Sequence, residues 1–313
     1  FTADMYIGAV SGEDVTTTVT DGNEAIEAYY GFQIDLNTSF TGEDSLDISL
    51  DAGNRTADTL SEIGGGAVSG DGTETLVVDG VSYTFPVGDK MTAFVGDNTD
   101  GSLLYSTACV YGGPGDTLDD CGARVSALGN TGTSAGASFD IGNGFTAAVG
   151  YTGNGGATGG LLTQEGDDAY GAQLSYAADT YGLSVSYANT EATAVDTTYW
   201  AFNGYFTPTE ATGFPSISVG FEFGDPETAL GLEDTTQFFL GLQWDEVGPG
   251  TLGVAMGTDG AISDNATEYY IYEAFYSYPI NDGMTITPLV YIKEFSGSTE
   301  DETGLMVKTS FSF

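Results

Sequence analysis

Apolar and polar residues alternate along much of this chain, in segments of roughly eight to eleven residues. The segment 216–223, SISVGFEF, places Ile, Val and Phe on one face and Ser, Gly and Glu on the other. The segments 46–52, LDISLDA, and 237–245, QFFLGLQWD, repeat the pattern. Because successive side chains of a β-strand point to opposite faces, each segment predicts a strand with one apolar and one polar face.

Clusters of Gly, Asn, Asp and Pro separate about sixteen such segments, an even number as in bacterial transmembrane barrels. The predicted strands are 2–10, 27–37, 44–53, 78–86, 90–97, 132–140, 144–151, 168–177, 181–189, 196–207, 215–224, 235–245, 250–257, 267–279, 284–295 and 303–313. Tight turns are predicted at 140–143, 179–181, 246–250 and 281–283, and long polar loops at 11–26, 54–77, 98–131, 152–167, 225–234 and 258–266. Short turns on one rim and long loops on the other are typical of a membrane-spanning barrel.

A soluble β-sandwich or solenoid would also alternate and use Gly-rich turns. Such a protein would need a very large core for this many apolar faces, whereas a bilayer covers them and leaves the polar faces to a water-filled lumen. Aromatic residues near strand ends are typical of interfacial girdles; they are Tyr269, Tyr270, Tyr276, Tyr278, Trp200, Phe206, Trp244, Phe311 and Phe313. We therefore predict an all-β fold, a transmembrane antiparallel β-barrel that forms one domain over 1–313.

The composition excludes other classes of protein. Hydrophobic residues make up 41% of the chain, but they form no apolar run of about 18 residues, so a helical membrane protein is excluded. The 46 Asp and Glu residues outnumber the 5 Lys and Arg residues and give a net charge of −41, which repels nucleic acid and attracts cations. The 19 Tyr and 18 Phe residues are more than a disordered chain normally carries. We expect a folded chain without a nucleic-acid partner.

Charged side chains on the polar faces would line the lumen, where they set ion selectivity. The alternation assigns acids and two lysines to inward positions, namely Asp35, Asp47, Asp51, Glu222, Asp245, Glu273, Lys293 and Lys308. A wall so rich in acids favours cations. The alternative for each acid is a position at the rim that only keeps the mouth hydrated.

The longest connection, 98–131, contains both cysteines of the chain. Cys109 and Cys121 form a close pair, which predicts a disulfide in a protein outside the cytoplasm, and the lack of any His argues against zinc. A ring closed by a disulfide stiffens a loop, so we predict a constriction folded into the lumen. Its candidate residues are Cys109, Asp116, Asp119, Asp120, Cys121 and Arg124. One alternative is a surface loop that the disulfide protects against proteolysis. Arg124 could face acids across the pore, and the alternative for this residue is a simple salt bridge.

No arrangement of residues indicates an enzyme or a cofactor. The motif GTSAG at 132–136 fits a nucleophile elbow, but the chain has no His to serve as its base and the motif opens a predicted strand. Acid clusters at 116–120 and 300–302 offer oxygen ligands to hard cations, yet no segment matches a calcium-binding loop. Metal ligands are therefore not assigned.

Several segments carry a family resemblance. The last residues, TGLMVKTSFSF at 303–313, resemble the C-terminal strand of bacterial outer-membrane proteins, in which a final Phe marks the chain for assembly. The segments LNTSFTGEDSLDISLDAGN at 36–54 and YTFPVGDKMTAFVG at 83–96, together with the closing stretch from Tyr269 through 286–288 to Phe313, resemble the cyanobacterial branch of the carbohydrate-selective, OprB-like porin family, often called iron uptake porins.

This resemblance implies an outer-membrane channel for passive diffusion of small hydrophilic solutes and inorganic ions, a homotrimer embedded in lipid, and a loop that narrows each lumen. Members of the family usually carry an N-terminal S-layer homology domain and a stalk that attach the barrel to the cell wall. Residues 1–313 contain neither, and Phe1 is not a start methionine, so wall attachment is expected only through a region outside this sequence. The alternative function is a structural anchor or receptor whose lumen is largely plugged.

Overall fold

The computed structural model describes residues 1–12, 26–54, 74–115, 117–118, 120–123, 128, 132–155, 159–163, 166–191, 195–209, 213–227, 231–258, 260–294 and 301–312. All regular structure in this part of the chain is β. None of its segments is a helix long and apolar enough to cross a membrane.

The described residues form seventeen strands in a single sheet. They are β1 (Thr2–Ser11), β2 (Glu27–Thr38), β3 (Ser45–Gly53), β4 (Val77–Val87), β5 (Met91–Thr99), β6 (Gly132–Gly142), β7 (Phe145–Gly153), β8 (Asp168–Ala177), β9 (Tyr181–Thr190), β10 (Thr197–Phe206), β11 (Ser216–Pro226), β12 (Thr235–Val247), β13 (Gly250–Thr258), β14 (Ile262–Ser263), β15 (Tyr270–Asn281), β16 (Met284–Lys293) and β17 (Glu302–Ser312).

The sheet is closed, because the first strand pairs with both its successor and the last strand. In β1, Tyr6 lies opposite Tyr29 of β2 and Lys308 of β17. Every strand except β14 pairs antiparallel with two neighbours around the ring, and β14 pairs with the start of β12 outside it. Closure leaves no barrel strand with an unpaired edge. The predicted antiparallel barrel of about sixteen strands is thus confirmed.

The two rims differ as the connection lengths predicted. Residues 88–90, 143–144, 248–249 and 282–283 make tight turns between consecutive strands, and both chain ends lie on this short-turn rim. The strand ends that flank the longer connections after β1, β3, β5, β7 and β13 lie on the opposite rim.

The strand boundaries agree with the predictions to within about two residues, except at the start of β15. The predicted strand 267–279 begins at Tyr270 and continues to Asn281. Its last residues pair with β16 across an irregularity between Pro279 and Asn281, which an alternation pattern does not reveal. The predicted loop 258–266 contains the two-residue strand β14, which is too short to show a period.

Candidate functional site

The two faces of the barrel wall differ in chemistry. On β11, the apolar side chain of Val219 is 46% exposed, whereas Glu222 on the opposite face is 1% exposed. Apolar residues on β2, β9, β10 and β12 are exposed in the same way, and most of the positions between them are buried. Since inward and outward residues alternate along every barrel strand, the exposed apolar residues form a belt on the outer surface, and residues such as Glu222 face the lumen.

The connection between β5 and β6 folds into the lumen and runs along its wall. Its backbone N–H groups donate to inward side-chain oxygens: Ser106 to Gln173 at 2.6 Å, Ala108 to Ser184 at 2.9 Å, Val110 and Tyr111 to Ser218 at 3.0 and 3.1 Å, and Gly112 to Gln243 at 3.1 Å. The wall side chains lie on β8, β9, β11 and β12. The loop therefore runs across successive strands, and wall oxygens satisfy the donors that a β-ladder would otherwise pair.

The middle of this loop is anchored on the far wall by Tyr111. The ring of Tyr111 packs against Phe239 and Phe275 with centroid separations of 5.4 and 5.8 Å. Its hydroxyl donates to Glu273 Oε1 at 2.6 Å, and Thr117 also donates to the Glu273 carboxylate. Burial, and then the Glu273 charge, raise the pKa of the Tyr111 hydroxyl far above its usual range.

The loop then returns across β10–β12. A disulfide joins Cys109 on the outgoing limb to Cys121 on the returning limb. The Cys121 carbonyl oxygen accepts from Asn203 Nδ2 at 2.9 Å, and Asp120 Oδ2 accepts from Gln237 Nε2 at 2.8 Å. Both limbs are thus bonded to the same part of the wall.

One side of the lumen is filled by packed side chains. Tyr6 stacks on Tyr29 with a centroid separation of 4.6 Å, and Lys308 lies over the Tyr6 ring while pairing with Asp4 at 3.4 Å. These rings belong to one buried cluster with the loop, comprising Tyr6, Val10, Tyr29, Tyr111, Leu118, Cys121, Phe239, Ala255, Ile271, Phe275, Leu289, Tyr291 and Met306. The cluster occupies the interior next to β12–β17, β1 and the start of β2.

The other side of the lumen is open. A cavity of about 610 Å³ lies between the wall of β3–β5 and the first part of the loop, and its acids are Asp47, Asp79 and Asp100. Asp79 lies at an irregularity in the pairing of β3 with β4, a feature that redirects side chains. Burial, and then repulsion from Asp79, raise the pKa of the Asp100 carboxyl. No Lys or Arg lines this cavity among the described residues.

The structure locates the predicted pore-lining residues in different parts of the barrel. Asp35, Asp47 and Asp51 lie on β2 and β3 at the open side, where Ser49 donates to Asp35 at 2.8 Å. Glu222 and Glu273 are buried, and Asp245 lies further toward the short-turn rim, accepting from Gln243 at 2.7 Å. Lys293 is on β16 opposite Glu302, and Lys308 contacts Pro114 O of the loop. The eight residues therefore do not share one region of the barrel.

Of the predicted loop residues, Cys109, Asp120 and Cys121 contact one another or the wall as described above. Asp116, Asp119 and Arg124 lie outside the described residues. Within the described part of the chain, no group of three or more His, Cys, Asp or Glu residues is arranged to hold a metal ion. Ser134 of the GTSAG motif is buried in β6, where its hydroxyl donates to Thr152 Oγ1.

Sequence reasoning missed Asp79, Asp100 and Tyr111. Asp100 and Tyr111 lie in a loop without periodicity, and the Asp79 side chain is redirected by a break in strand pairing. The sequence offers one signal for Tyr111 as an anchor of the loop. A Tyr among small and polar residues in a long loop needs an apolar surface on which its ring can pack.

Comparison with known proteins identifies the fold. No protein-family model matches the sequence, and no curated protein matches it significantly. A mutant of the Rhodobacter blastica porin superposes with a TM-score of 0.60 at 12% identity, covering 99% of each chain. OprB of Pseudomonas putida gives 0.65 at 13% identity over 99% of this chain and 93% of OprB. A loop-deletion mutant of the outer membrane protein OmpT of Vibrio cholerae gives 0.61 at 9% identity over 99% and 98%. At these identities the likeness establishes the fold alone, and the chain has a closed β-barrel fold like that of these porins.

Proposed function

We propose that this chain is an outer-membrane porin, a water-filled channel through which small hydrophilic solutes and inorganic ions diffuse passively, with a preference for cations. The proposal rests on one observation, that the lumen is filled on one side and open on the other. The hydrogen-bonded loop and the buried aromatic cluster fill one side, and a polar cavity of about 610 Å³ remains along β3–β5. A protein that only anchored a wall-binding region would not need a hydrophilic path.

The cation preference follows from the charges on this path. Asp47, Asp79 and Asp100 line the cavity without a described basic residue among its lining. Lys308, an inward cation, is bound to Asp4 and to the loop on the filled side. Rings or rows of carboxylates along a narrow aqueous path concentrate cations and repel anions.

The outer-membrane location is supported by the exposed apolar belt, which lipid would cover, and by the closed ring that leaves no barrel strand unpaired. Assembly as a homotrimer and membership of the cyanobacterial branch of OprB-like porins rest on the sequence resemblance described above. Attachment to the cell wall would require a region outside residues 1–313. The family names suggest sugars or iron as solutes.

Single-channel recording in a planar bilayer tests the proposal. We expect stepwise openings, in triplets if the assembly is trimeric, and a reversal potential under a KCl gradient that indicates cation preference. The double variant Asp79→Asn/Asp100→Asn should reduce that preference. The control variant Asp89→Asn changes an acid in the exposed turn after β4 and should leave the preference unchanged. Anion preference in the wild-type channel would contradict the charge argument.

A structural or receptor protein with a plugged lumen is the second candidate, and the buried aromatic cluster is the observation that favours it. Liposome swelling distinguishes the two functions. A porin should admit small neutral sugars and amino acids into liposomes, and the initial swelling rate should fall as the solute becomes larger. Folded protein that causes neither swelling nor conductance would identify the plugged form.

A further inference from the structure

Three acids form a row across neighbouring strand ends, on the rim that flanks the longer connections. Asp168 begins β8, Glu191 directly follows β9, and Asp196 directly precedes β10. The pairing of β8 with β9 and of β9 with β10 reaches the residues next to these acids, and Glu191 N donates to Asp168 O at 2.7 Å. Neighbouring strands lie about 4.8 Å apart. Because like charges opposite each other destabilise a sheet, the row indicates a positive charge between the acids.

The three acids line one cavity of about 360 Å³, together with Tyr151 and Tyr170. The two tyrosines lie opposite each other in the register of β7 with β8, and Gly153 lies opposite Asp168 two residues further along both strands. Alternate residues of a strand share a face, so Asp168 lies on the same face as Tyr170, which is 44% exposed. A Cβ atom at Gly153 would lie 2.2 Å from Asp168 Oδ1. The cavity is therefore on the outer face of the barrel, and a glycine keeps the space beside Asp168 open.

The Asp168 carboxylate is buried and only half satisfied. Its side chain is 4% exposed, and Oδ1 accepts from the Tyr151 hydroxyl at 2.8 Å. That hydroxyl accepts in turn from Leu162 N at 3.1 Å, so it has no second hydrogen to donate. Asp168 Oδ2 is buried and accepts no hydrogen bond. Since buried polar atoms of native proteins are nearly always paired, this oxygen indicates a ligand that donates a hydrogen bond.

The charges around the cavity indicate that this ligand is positive. Asp168 and Glu191 both interact electrostatically with the Tyr151 hydroxyl, and Glu191 and Asp196 both interact with that of Tyr170. The sequence 125–292, which contains β6–β15 and all the connections between them, has no Lys or Arg. A buried carboxylate is costly unless a positive charge compensates it. A bound cation would compensate these acids.

The geometry favours an organic cation over a metal ion. In the described part of the chain, no three acids are arranged to hold a metal. The cavity, at about 360 Å³, instead has the size of a small-molecule pocket, for which the range is roughly 300–1,000 Å³. Carboxylates accept strong hydrogen bonds from ammonium groups, and tyrosine rings attract organic cations.

We propose that this cavity binds an organic cation that carries a primary ammonium group. Asp168, Glu191 and Asp196 accept its hydrogen bonds, and the rings of Tyr151 and Tyr170 pack against its carbon chain. The ammonium group belongs either to a free amine or to the headgroup of a lipid, because the cavity lies at the rim above the apolar belt. The site is on the outer face, so it is independent of whether the channel conducts.

Calorimetric titration of the folded barrel in non-ionic detergent tests this site. The probe is putrescine, added in excess NaCl and MgCl2, which occupy the weak acids of the surface. We expect one saturable site per chain, and none for 1,4-butanediol, which has the same chain length without the charges. Asp168→Asn should weaken putrescine binding by about tenfold or more, because it removes one partner of a buried charge pair. Asp264→Asn, which changes an exposed acid between β13 and β15 outside the cavity, should leave the affinity unchanged.

A second variant keeps the test decisive if Asp168→Asn does not fold, which heat-shift gel electrophoresis would reveal. Glu191 lies outside the strands and is half-buried, so Glu191→Gln should fold and should also weaken putrescine binding. A cavity that holds only water would give no putrescine site in the wild type, or the same affinity in the wild type and Glu191→Gln. Either result would overturn the proposal.

Nanodiscs distinguish the two sources of the ammonium group. Putrescine is titrated into wild-type barrel in phosphatidylcholine nanodiscs with and without phosphatidylethanolamine, whose headgroup carries a primary ammonium. Weaker putrescine binding with phosphatidylethanolamine would support the site and identify a lipid amine as its occupant. Equal binding in both nanodiscs would support the site and identify a free amine.

Discussion

The hydroxyl of Tyr111 donates a 2.6 Å hydrogen bond to Glu273 Oε1 and so joins the loop between β5 and β6 to a barrel strand 162 residues later in the chain. The ring of Tyr111 lies between Phe239 and Phe275. A buried carboxylate is therefore paired with two loop hydroxyls, those of Tyr111 and Thr117. The Tyr111 side chain therefore holds the outgoing limb of the loop by both ring packing and a hydrogen bond.

Replacing Tyr111 should widen the channel. Tyr111→Ala removes the ring from its packing site, and the Glu273 carboxylate loses the hydrogen bond that the Tyr111 hydroxyl donates. We therefore expect a larger single-channel conductance and a free energy of unfolding lower by about 3 kcal/mol. Tyr111→Phe is the matched control, because it keeps the ring and should leave conductance near the wild-type value. Equal conductance in Tyr111→Ala and the wild type would show that other contacts fix the loop.

The cation preference should depend on pH through Asp100. Burial and repulsion from Asp79 raise the pKa of this carboxyl, so it loses its charge at a higher pH than an ordinary carboxyl as the solution is acidified. The reversal potential of the wild type should therefore begin to fall at a higher pH than that of Asp100→Asn. At neutral pH this variant should show a cation-to-anion permeability ratio lower by about twofold to fivefold, since one charge close to the path contributes up to about 1 kcal/mol in water.

Replacing an acid far from the cavity should not change the pH dependence of the reversal potential. Asp89→Asn, in the turn on the opposite rim, should reproduce the wild-type pH profile. A profile that is identical in wild type and Asp100→Asn would place the conducting path away from Asp100.

Removing the disulfide should loosen the loop without displacing it. The variant with Cys109→Ser and Cys121→Ser keeps the backbone hydrogen bonds to Gln173, Ser184, Ser218 and Gln243. We expect the free energy of unfolding to fall by about 2 kcal/mol, and the open-channel current to become noisier at an unchanged mean. A large rise in mean conductance would show that the bridge, and not the hydrogen bonds, sets the position of the loop.

Much of the barrel could be predicted from sequence, because each strand by itself shows an apolar and a polar face. The segment 216–223 identifies Glu222 as inward without any knowledge of its neighbours, and the alternating connection lengths identify the two rims. The irregular pairing at Asp79 could not be predicted, since it arises from a mismatch between β3 and β4 and not from either strand alone.

The interior of the barrel depends on contacts that no local pattern contains. Ser218 reads as one more polar position of a strand, yet its hydroxyl oxygen accepts from both Val110 and Tyr111 of the loop. Tyr6 and Lys308 likewise read as ordinary inward residues, although they pack together because β1 closes on β17. Such pairs are determined by closure of the ring and by the path of the loop.

The turn between β2 and β3 should lose local stability in acid. Hydrogen bonds to the Asp44 carboxylate from Ser39 Oγ and the Tyr83 hydroxyl, with the Thr41 amide, hold the pKa of Asp44 well below its usual range. A lowered pKa means that the stabilisation is present above the unfolded pKa of about 3.9 and is lost as the pH falls through the folded pKa. Asp44→Asn should therefore speed hydrogen exchange at the amides of Phe40 and Thr41, which donate to Asp44 at 2.9 Å.

That exchange is measured at a pH where Asp44 is ionised, with Glu43→Gln as the control. Glu43 is exposed and adjacent, so its replacement should leave both amides protected. Equal acceleration in the two variants would mean that the turn is held by its backbone alone.

Gly220 should tolerate no side chain while the loop remains in place. A Cβ atom there would lie 1.8 Å from Cys121 O and 2.7 Å from Asn203 Nδ2, and neither the loop carbonyl nor β11 can move away without breaking hydrogen bonds. Gly220→Ala should therefore displace the returning limb and change the single-channel conductance, while barrel formation continues because the pairing of β11 with β10 and β12 is unaffected. Gly112→Ala is the matched control in the same loop, since its Cβ would meet nothing within 4 Å. Normal conductance in Gly220→Ala would mean that the loop does not rest on β11.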